Sequence, residues 1–247
     1  MAVSKNQIKF ISSLHLKKNR EKEGLFIVEG EKIAVEILSQ KRYNIKIIFA
    51  LQDWIVENNA NLNPQKYEIF SCNESDLERI SALKTPNRVL FVLETVLPVL
   101  QSPKGKKNLI LDSIQDPGNL GTIIRIADWF GIENIYCSKE TVELYNSKVL
   151  QATMGSFLRV NLSYLNLSEF LASYSEIPCY AALLNGENVF STKFPDEAFL
   201  LIGNEGKGIS DNLLQLPHIP ISIPRFGHAE SLNAAVATGI LCALLKK

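Results

Sequence analysis

Three short segments in the C-terminal half of the chain place polar side chains beside glycine or proline and could together build one binding or catalytic site. We name them the first segment (Asp116–Arg125), the second segment (Gly203–Gly208) and the third segment (Ile223–Asn233). Each lies at the edge of an apolar run, and polar groups at the ends of buried strands are where α/β proteins commonly bind ligands. We therefore expect three loops to meet at a single site.

The first segment carries an arginine that suits a phosphate or a sugar hydroxyl. Apolar residues at helical spacing predict a helix over Asn119–Phe130, with Asn119 as its N-cap. Thr122, Arg125 and Asp128 recur every three residues and form a polar stripe on that helix. The stripe is either an exposed face with an Arg–Asp pair, or it directs Arg125 at a ligand, because a planar guanidinium can bind two oxygens at once.

The second segment is a glycine-rich loop that follows the apolar run Leu200–Ile202. Its three glycines permit backbone conformations closed to other residues and the close approach of a ligand. It matches neither the phosphate loop of nucleoside triphosphatases nor the GxGxxG dinucleotide fingerprint. It is therefore either a plain turn or a ligand loop in which Glu205 orders the chain or accepts hydrogen bonds.

The third segment leads from a strand into a helix rich in small residues. Pro224 ends the predicted strand, and Ser231 is the predicted N-cap of a helix over Ser231–Leu245. An apolar helix with so many small residues is expected to be buried and closely approached by another backbone. Ser231 and Asn233 then have either a structural role at the start of this helix or a role in the site.

Several classes of function are excluded by what the chain lacks. A hydrolase is not supported, since there is no GxSxG motif, no suitable carboxylate pair and no Cys–His arrangement. Three isolated histidines predict no metal site, and four cysteines without CxxC spacing predict a reduced, cytosolic protein. No apolar run reaches the ~20 residues of a membrane span, and the basic N-terminus lacks the apolar core of a signal peptide.

The length of the chain allows two domains, and a linker-like segment predicts where they divide. The chain has 247 residues, of which 46% are hydrophobic, enough for one large or two small cores. Residues 98–106 combine proline, glycine and lysine as a linker does, so we predict domains over 1–97 and 107–247. The elements predicted in the first domain are helices at Gln7–Leu16 and Glu31–Leu38 and strands at Leu25–Val28, Ile45–Ala50 and Arg88–Leu93. The additional elements predicted in the second domain are strands at Asn108–Leu111, Asn134–Cys137, Cys179–Leu184, Phe199–Ile202 and Ile219–Ile223.

Charge alone argues mildly against a nucleic-acid partner. The chain has 26 Lys+Arg and 26 Asp+Glu, and typical nucleic-acid-binding proteins are more basic. Positive charge is nevertheless clustered within residues 1–20 and 98–108, which contain no acidic residue. Such clusters are either solvated tails and linkers or contacts for a polyanion.

Taken together, the three segments resemble motifs 1, 2 and 3 of the SpoU/TrmH family of RNA ribose 2'-O-methyltransferases, part of the SPOUT superfamily. The similarity is strongest over 109–130 and 200–245 and extends more weakly over nearly the whole chain. Residues Leu14–Ile37 resemble the start of the small substrate-binding domain found in many members of the family. The positions that carry this second resemblance are Arg20, Phe26, Val28, Glu29 and Gly30.

The resemblance implies a fold, a cofactor and a reaction. It implies an N-terminal domain related to an RNA-binding ribosomal protein and a C-terminal domain with a trefoil knot that binds S-adenosylmethionine. The implied reaction is methylation of a ribose 2'-hydroxyl in structured RNA, ribosomal RNA being favoured over transfer RNA, by a cytoplasmic homodimer packed through the C-terminal domain. The implied catalytic positions are Asn119, Arg125, Glu205, Ser231 and Asn233. The implied cofactor contacts are Leu183, Gly203, Ile223 and Leu232, and the implied RNA contacts are Lys17, Lys18, Arg20 and Glu29.

Two departures from the family pattern and two alternative functions remain open. Motif 3 more often has methionine after the proline, whereas this chain has Arg225 and Phe226, followed by His228. These residues could alter RNA contacts. The first alternative is an RNA-binding or ribosome-assembly protein that keeps the fold without catalysis, against which the intact polar set argues. The second is a dinucleotide-binding enzyme, against which the missing GxGxxG motif argues.

Overall fold

A computed structural model describes residues 3–246, and its contacts divide the chain into two compact units. The first unit is Met1–Leu97 together with Tyr145–Leu158, and the second is Pro98–Leu144 together with Arg159–Lys247. The segment Tyr145–Leu158 thus packs with the first unit although it lies in the C-terminal half of the chain. The predicted domains, 1–97 and 107–247, remain a prediction about which parts fold independently.

The described residues form α-helices and β-strands that we number in chain order. The elements are α1 (Lys5–Ser13), α2 (Lys17–Glu23), β1 (Leu25–Glu29), α3 (Glu31–Ser39), β2 (Ile45–Leu51), α4 (Gln52–Glu57), β3 (Glu68–Cys72), α5 (Glu74–Ile80), β4 (Val89–Glu94), β5 (Lys107–Leu111), α6 (Pro117–Trp129), β6 (Asn134–Cys137), α7 (Ser147–Thr153), β7 (Asn161–Tyr164), α8 (Leu167–Ser173), β8 (Cys179–Asn188), β9 (Ala198–Ile202), α9 (Asp211–Leu214), β10 (Ile219–Ser222) and α10 (Ala234–Leu245). Every predicted helix and strand is present. The prediction omitted α2, α4, α5, α7, α8, α9, β3 and β7.

The first unit is built on a four-stranded mixed sheet in the order β1-β4-β2-β3. Strand β4 runs antiparallel to β1 and β2, while β2 and β3 are parallel. Residues Val89–Leu93 of β4 are all buried, as expected for a strand covered on both faces. Helices α1 and α5 pack together over one face, where Phe49 and Phe70 stack with ring centroids 5.3 Å apart.

The segment Tyr145–Leu158 completes an aromatic cluster in the first unit. The ring of Tyr145 lies 4.3 Å from that of Phe26, and the ring of Phe157 lies 5.5 Å from that of Tyr43. The Tyr145 hydroxyl also donates to the Val96 carbonyl and accepts from its amide, both at 3.1 Å. Aromatic pairs at these distances stabilise a core beyond the area they bury, so this segment is part of the hydrophobic structure of the first unit.

The second unit is a six-stranded sheet in the order β10-β8-β9-β5-β6-β7, and all its strand pairs are parallel. Strands β6 and β9 are buried along their whole length, because helices cover the sheet. Helices α6 and α10 pack against each other. Helices α8 and α9 pack through Phe170 and Leu213 into a core that includes Tyr136 and Phe199.

The pairing of β8 with β10 has one irregularity. Pro220 pairs with Ala181 but Ile221 pairs with Glu187, so residues 182–186 of β8 are skipped. At the end of the skipped stretch, a Cβ on Gly186 would lie 2.7 Å from backbone atoms of Pro220 and Ile221. Only glycine permits this approach of two backbones. The chain therefore leaves the regular sheet beside the strand that leads into the third segment.

Three asparagines form a hydrogen-bonded ladder across the amino ends of β5, β6 and β7. Asn134 donates to Asn108 at 3.2 Å, and Asn161 donates to Asn134 at 3.3 Å. Asn108 donates in turn to the carbonyls of Pro103 and Lys106 at 2.9 Å, which ties the predicted linker to the sheet. Asn108 and Asn134 are buried, and buried amides are costly unless they are hydrogen-bonded.

We expect Asn134→Leu to destabilise the protein by about 1–3 kcal/mol, because it leaves the buried Asn108 oxygen without its donor. The measurement is the urea midpoint of unfolding at unchanged slope. Asn185→Leu, at an exposed position, is the matched control and should leave the midpoint unchanged. Equal midpoints for the two variants would contradict a stabilising role for the ladder.

Candidate functional site

The three segments lie at the carboxyl ends of neighbouring strands. The first segment follows β5, the second follows β9, and β5 pairs with β9 along its length. The third segment follows β10, on the same side of a parallel sheet. Because the carboxyl ends of parallel strands meet at one edge, the sheet brings together loops that are about a hundred residues apart.

Asp116, not Asn119, is the N-cap of α6, so the prediction for Asn119 is wrong. The Asp116 carboxylate accepts from the Asn119 amide at 2.8 Å, and Pro117 occupies the first turn. Proline is favoured there because its missing N–H would have no partner in the helix. The cap therefore begins the helix one turn sooner than predicted and leaves the Asn119 side chain available for another contact.

Asn233, not Ser231, caps α10, which corrects the second capping prediction. The Asn233 Oδ1 accepts from the amides of Ala235 and Val236 at 2.9 and 3.2 Å, so the helix begins at Ala234. Ser231 lies in the preceding loop and is exposed. Its hydroxyl is therefore not used as the helix cap.

A chain of side-chain hydrogen bonds joins all three segments. Asn233 Nδ2 donates to Asn119 Oδ1 at 2.9 Å, and Asn119 Nδ2 donates to Glu205 Oε1. The two bonds specify the orientation of the Asn119 amide, since its oxygen faces a donor and its nitrogen faces an acceptor. Among the described residues, Oε2 of Glu205 has no hydrogen-bond partner, so a carboxylate oxygen remains for a ligand.

Asn204 folds the second segment into a closed loop. Its backbone exchanges two hydrogen bonds of 2.9 Å with Gly208. Its side chain accepts from the amides of Gly206 and Lys207 at 2.9 and 3.0 Å and donates to the Ser113 carbonyl at 2.8 Å. These contacts hold Glu205 at the tip of a loop attached to the end of β5.

Gly203 allows this loop to close. A Cβ on Gly203 would lie 2.4 Å from the carbonyl carbon of Gly208 and 2.5 Å from the amide nitrogen of Ile209. Backbone atoms that close cannot move aside without opening the loop. A close approach of two backbone segments therefore requires glycine at this position.

Arg125 lies outside the hydrogen-bonded chain. Its side chain is exposed on α6 and makes no hydrogen bond or ion pair within residues 3–246. The predicted alternative of a pair with Asp128 is wrong, since Asp128 instead binds Arg159 through several contacts, the shortest of them 2.8 Å. An exposed guanidinium without a partner among the described residues is available to bind an anionic ligand.

The predicted cofactor contacts lie in the middle of β8, immediately after β9 and β10, and near the end of the third segment. The regular pairing of β8 with β9 ends at Ala181 and Leu201, so the chain beyond those residues leaves the ladder. There Leu183, Gly203 and Ile223 are half-buried, and Leu232 of the third segment is 46% exposed. Partly exposed apolar side chains beside backbone that has left the sheet fit a ligand with an aromatic ring and polar edges.

Two matches to protein families cover most of the chain. The SpoU rRNA Methylase family model matches residues 106–243, which is more than half of the chain. The chain belongs to the SpoU rRNA methylase family. The MRM3-like substrate binding domain matches residues 5–90. The resemblance seen in the three segments is thereby confirmed.

Proteins similar in sequence or structure match this family member along nearly its whole length. The 23S rRNA (guanosine(2553)-2'-O)-methyltransferase RlmP of Bacillus subtilis is 30% identical over 242 residues, covering 96% of this chain and 95% of the relative. A structure assigned to the TrmH family of RNA methyltransferases, from Porphyromonas gingivalis, is 35% identical with a TM-score of 0.87 and covers 99% of this chain and 98% of its own. An AdoMet-bound rRNA methyltransferase from Sinorhizobium meliloti is 28% identical, with a TM-score of 0.89 and coverages of 100% and 96%. The predicted α/β fold class is confirmed, and the trefoil knot remains a prediction.

In this SpoU family member the four predicted RNA contacts of the first unit differ in accessibility. Lys17 and Lys18 are exposed on α2. Arg20 is only 5% exposed, and its guanidinium donates to the carbonyls of Leu14 and His15 at 2.8 Å. Glu29 accepts from the Ser81 hydroxyl and the Ala82 amide. Lys17 and Lys18 are thus accessible, whereas the side chains of Arg20 and Glu29 make hydrogen bonds within the first unit; RNA contact by any of the four remains a prediction.

Other chemistries find no support in the described part of the family member. Its four cysteines are buried free thiols, and burial raises the pKa of Cys72, Cys179 and Cys242 to about 12, so these thiols stay protonated and unreactive. Within residues 3–246, no group of three or more His, Cys, Asp or Glu could hold a metal ion. None of the described helices has the length and apolar character needed to cross a membrane.

We expect Asn119→Asp to lower methyl transfer roughly tenfold to a hundredfold, a loss of about 1–3 kcal/mol, with a loss that grows as the pH rises. The substitution places a second carboxylate against Glu205, and two adjacent carboxylates raise the pKa of one of them. A raised pKa in the folded state stabilises the protein at low pH, where the pair holds a proton, and this stabilisation is lost as the pH rises through that pKa. The measurement is the initial rate and the melting temperature between pH 5 and 9. Asn119→Ala is the control, and its loss should not depend on pH.

Proposed function

We propose that this protein transfers the methyl group of S-adenosylmethionine to a ribose 2'-hydroxyl of ribosomal RNA. The observation that carries the proposal is the hydrogen-bonded chain Asn233–Asn119–Glu205, which unites the three motifs at one edge of the parallel sheet. Family membership and an AdoMet-bound relative support the cofactor. The name of the Bacillus subtilis relative, which covers nearly the whole chain, supports ribosomal RNA as the substrate.

The cofactor would be held beside the middle of β8 and the carboxyl ends of β9 and β10. Leu183, Ile223 and Leu232 would contact its apolar surfaces, and the backbone at Gly203 would bind its polar edges. When bound, S-adenosylmethionine would supply a methyl group attached to a positively charged sulfur. The neutral thioether released from that sulfur is a good leaving group. The residues of the protein then have to align the ribose oxygen with that methyl group, since alignment can supply much of the rate.

The polar residues of the three segments would orient the ribose and stabilise the negative charge that develops on it. Glu205 Oε2 is placed to accept a hydrogen bond from a ribose hydroxyl, while the second N–H groups of Asn119 and Asn233 remain to orient the sugar. Ser231 would donate to or accept from the ribose from the third segment. Arg125 would bind the substrate phosphate and stabilise negative charge that grows on the attacking oxygen. Arginine is not the base, because it does not give up its proton in proteins. The hydroxyl proton would pass to a substrate phosphate or to water as the new O–CH3 bond forms and the S–CH3 bond breaks.

A homodimer packed through the second unit would bring Arg125 to the site. Arg125 lies on α6 outside the hydrogen-bonded chain of its own unit, one helical turn from Trp129, which is 85% exposed. Val236 of α10 is also exposed. Large exposed apolar side chains on two helices that pack together fit a buried interface between copies. The knot implied by the family belongs to this proposal as well.

The first unit would bind the RNA outside the reacting nucleotide. Its match to a substrate-binding domain supports this role, as do the exposed Lys17 and Lys18. Lysines of this kind bind phosphates without reading the sequence. We place the reaction in the cytoplasm, in keeping with the four free cysteines.

The test is methyl transfer from radiolabelled S-adenosylmethionine to ribosomal RNA that lacks the modification. Label on a ribose 2'-oxygen, located by nuclease mapping, would support the proposal and identify the nucleotide. Cofactor binding is measured separately by calorimetry. Binding of the cofactor without transfer to ribosomal or transfer RNA would instead favour the non-catalytic RNA-binding protein, and failure to bind the cofactor would overturn the proposed methyl transfer.

A further inference from the structure

The third segment exposes an aromatic side chain that the proposed reaction does not use. Phe226 is 96% exposed, and its neighbours Arg225, Gly227 and His228 are exposed as well. A phenyl ring in water adds almost nothing to the stability of the fold, since it buries no area. Single exposed apolar residues are common on protein surfaces, so an argument for function needs the position and the chemistry of this one.

The loop that carries Phe226 is anchored at both ends. At its start, the Ser222 hydroxyl at the end of β10 donates to the Gly186 carbonyl at 3.0 Å. At its end, Asn233 caps α10 and donates to Asn119. Between them, the Arg225 guanidinium donates to the Ala229 carbonyl at 3.3 Å and closes the tip into a short turn. Phe226 therefore lies on a loop whose two ends are held by hydrogen bonds. This loop leads directly to Asn233 of the hydrogen-bonded chain.

The chemistry of the turn suits an unpaired RNA base. RNA-binding proteins stack exposed bases on aromatic rings, on arginine and on histidine, and Phe226 lies between Arg225 and His228. Arg225 places a positive charge next to the ring, and the acidic residue of this loop, Glu230, lies four residues after Phe226. An apolar protein partner would fit this surface less well, because a single ring flanked by polar residues forms no continuous apolar patch.

We propose that Phe226 is a stacking platform for an unpaired base of the RNA substrate, beside the ribose that is methylated. The proposal rests on the proposed function and narrows the substrate to a single-stranded or looped segment. In a regular duplex the base faces are covered by their neighbours and offer no surface for the ring. The platform would orient the base while Asn119, Glu205 and Asn233 orient the sugar.

The test compares Phe226→Ala and Phe226→Tyr with Phe190→Ala, which removes another exposed phenylalanine of the second unit. Removal of a side chain that stacks on one base typically lowers the affinity for the nucleic acid roughly tenfold to hundredfold. We expect Phe226→Ala to lower kcat/KM for RNA by that factor, chiefly through KM, while Phe226→Tyr and Phe190→Ala stay close to wild type. The affinity for S-adenosylmethionine and the oligomeric state should not change.

A second readout reports the stacking itself. Once the methylated nucleotide is mapped, 2-aminopurine is placed beside it in an RNA hairpin, and its fluorescence should be quenched by the wild type and less by Phe226→Ala. Unchanged kinetics and quenching would overturn the proposal, as would dissociation of a dimer or loss of cofactor binding in Phe226→Ala. If the wild type methylates no RNA, the proposed function fails first, which is a different result from an active enzyme insensitive to Phe226.

Discussion

Arg125→Ala is expected to lower kcat for methyl transfer by about a hundredfold to a thousandfold, the usual loss when one group that stabilises transition-state charge is removed. Cofactor affinity and the melting temperature should stay at wild-type values, because the side chain is exposed and has no partner within residues 3–246. The measurements are single-turnover methyl transfer, calorimetric titration with S-adenosylmethionine and thermal unfolding.

Two further variants separate the charge of Arg125 from its shape. Arg125→Lys keeps the positive charge but not the planar fork that binds two oxygens, and should recover only part of the rate. Lys139→Ala removes an exposed cation elsewhere in the second unit and should leave the rate unchanged. A parallel loss of cofactor binding or of folded protein in Arg125→Ala would show that Arg125 is structural and would remove it from the reaction.

Gly203→Ala is expected to abolish cofactor binding, with at least a hundredfold loss in affinity, and to destabilise the second unit by about 1–3 kcal/mol, as overpacking does. The new methyl group would lie 2.4 Å from the carbonyl carbon of Gly208. To relieve that clash the two backbone segments must separate, which breaks the two hydrogen bonds between Asn204 and Gly208. Glu205 would then move away from Asn119, and methyl transfer should fall together with binding.

Gly206→Ala provides the matched control in the same loop. A Cβ at Gly206 would meet its nearest neighbour, Oδ1 of Asn204, at 3.7 Å, an ordinary contact. Binding and activity should therefore stay near wild type. Calorimetry with S-adenosylmethionine decides the matter, and similar affinities for the two variants would show that loop closure at Gly203 is not needed to hold the cofactor.

The elements with a strong local signal were predicted, and the others were not. Strand β9 is a continuous apolar run, and β5 and β6 contain the apolar runs Leu109–Leu111 and Ile135–Cys137, because a parallel strand is buried on both faces. Helix α2, with the sequence KKNREKE, has no apolar periodicity, and its one buried residue is Arg20. Strand β7 has only four residues, two of them polar. Such elements are stabilised by their neighbours in space, which a short window of sequence does not contain.

For the caps of α6 and α10, the sequence predicts the right type of residue but the wrong position. Asp116 and Asn119 are both good capping residues, as are Ser231 and Asn233. Pro117, in the first helical turn, was a signal for Asp116 that the prediction did not use. At α10 no comparable signal separates the two candidates, and the path of the third segment decides that Asn233 faces the free amides.

Residue order alone was enough to identify three polar segments, their place at strand ends and the family to which they belong, because glycine, proline and polar residues at such junctions are a local property. Which of the polar side chains meet depends on the packed sheet. Asn119 binds Glu205, 86 residues away, and Asn233, 114 residues away, only because β5, β9 and β10 run parallel and end together. Packing within the first unit buries Arg20, and packing within the second unit leaves Arg125 without a partner among the described residues and exposes Phe226. Periodicity reports which face of an element is apolar, whereas contacts between elements follow from register and crossing, which no single segment of sequence specifies.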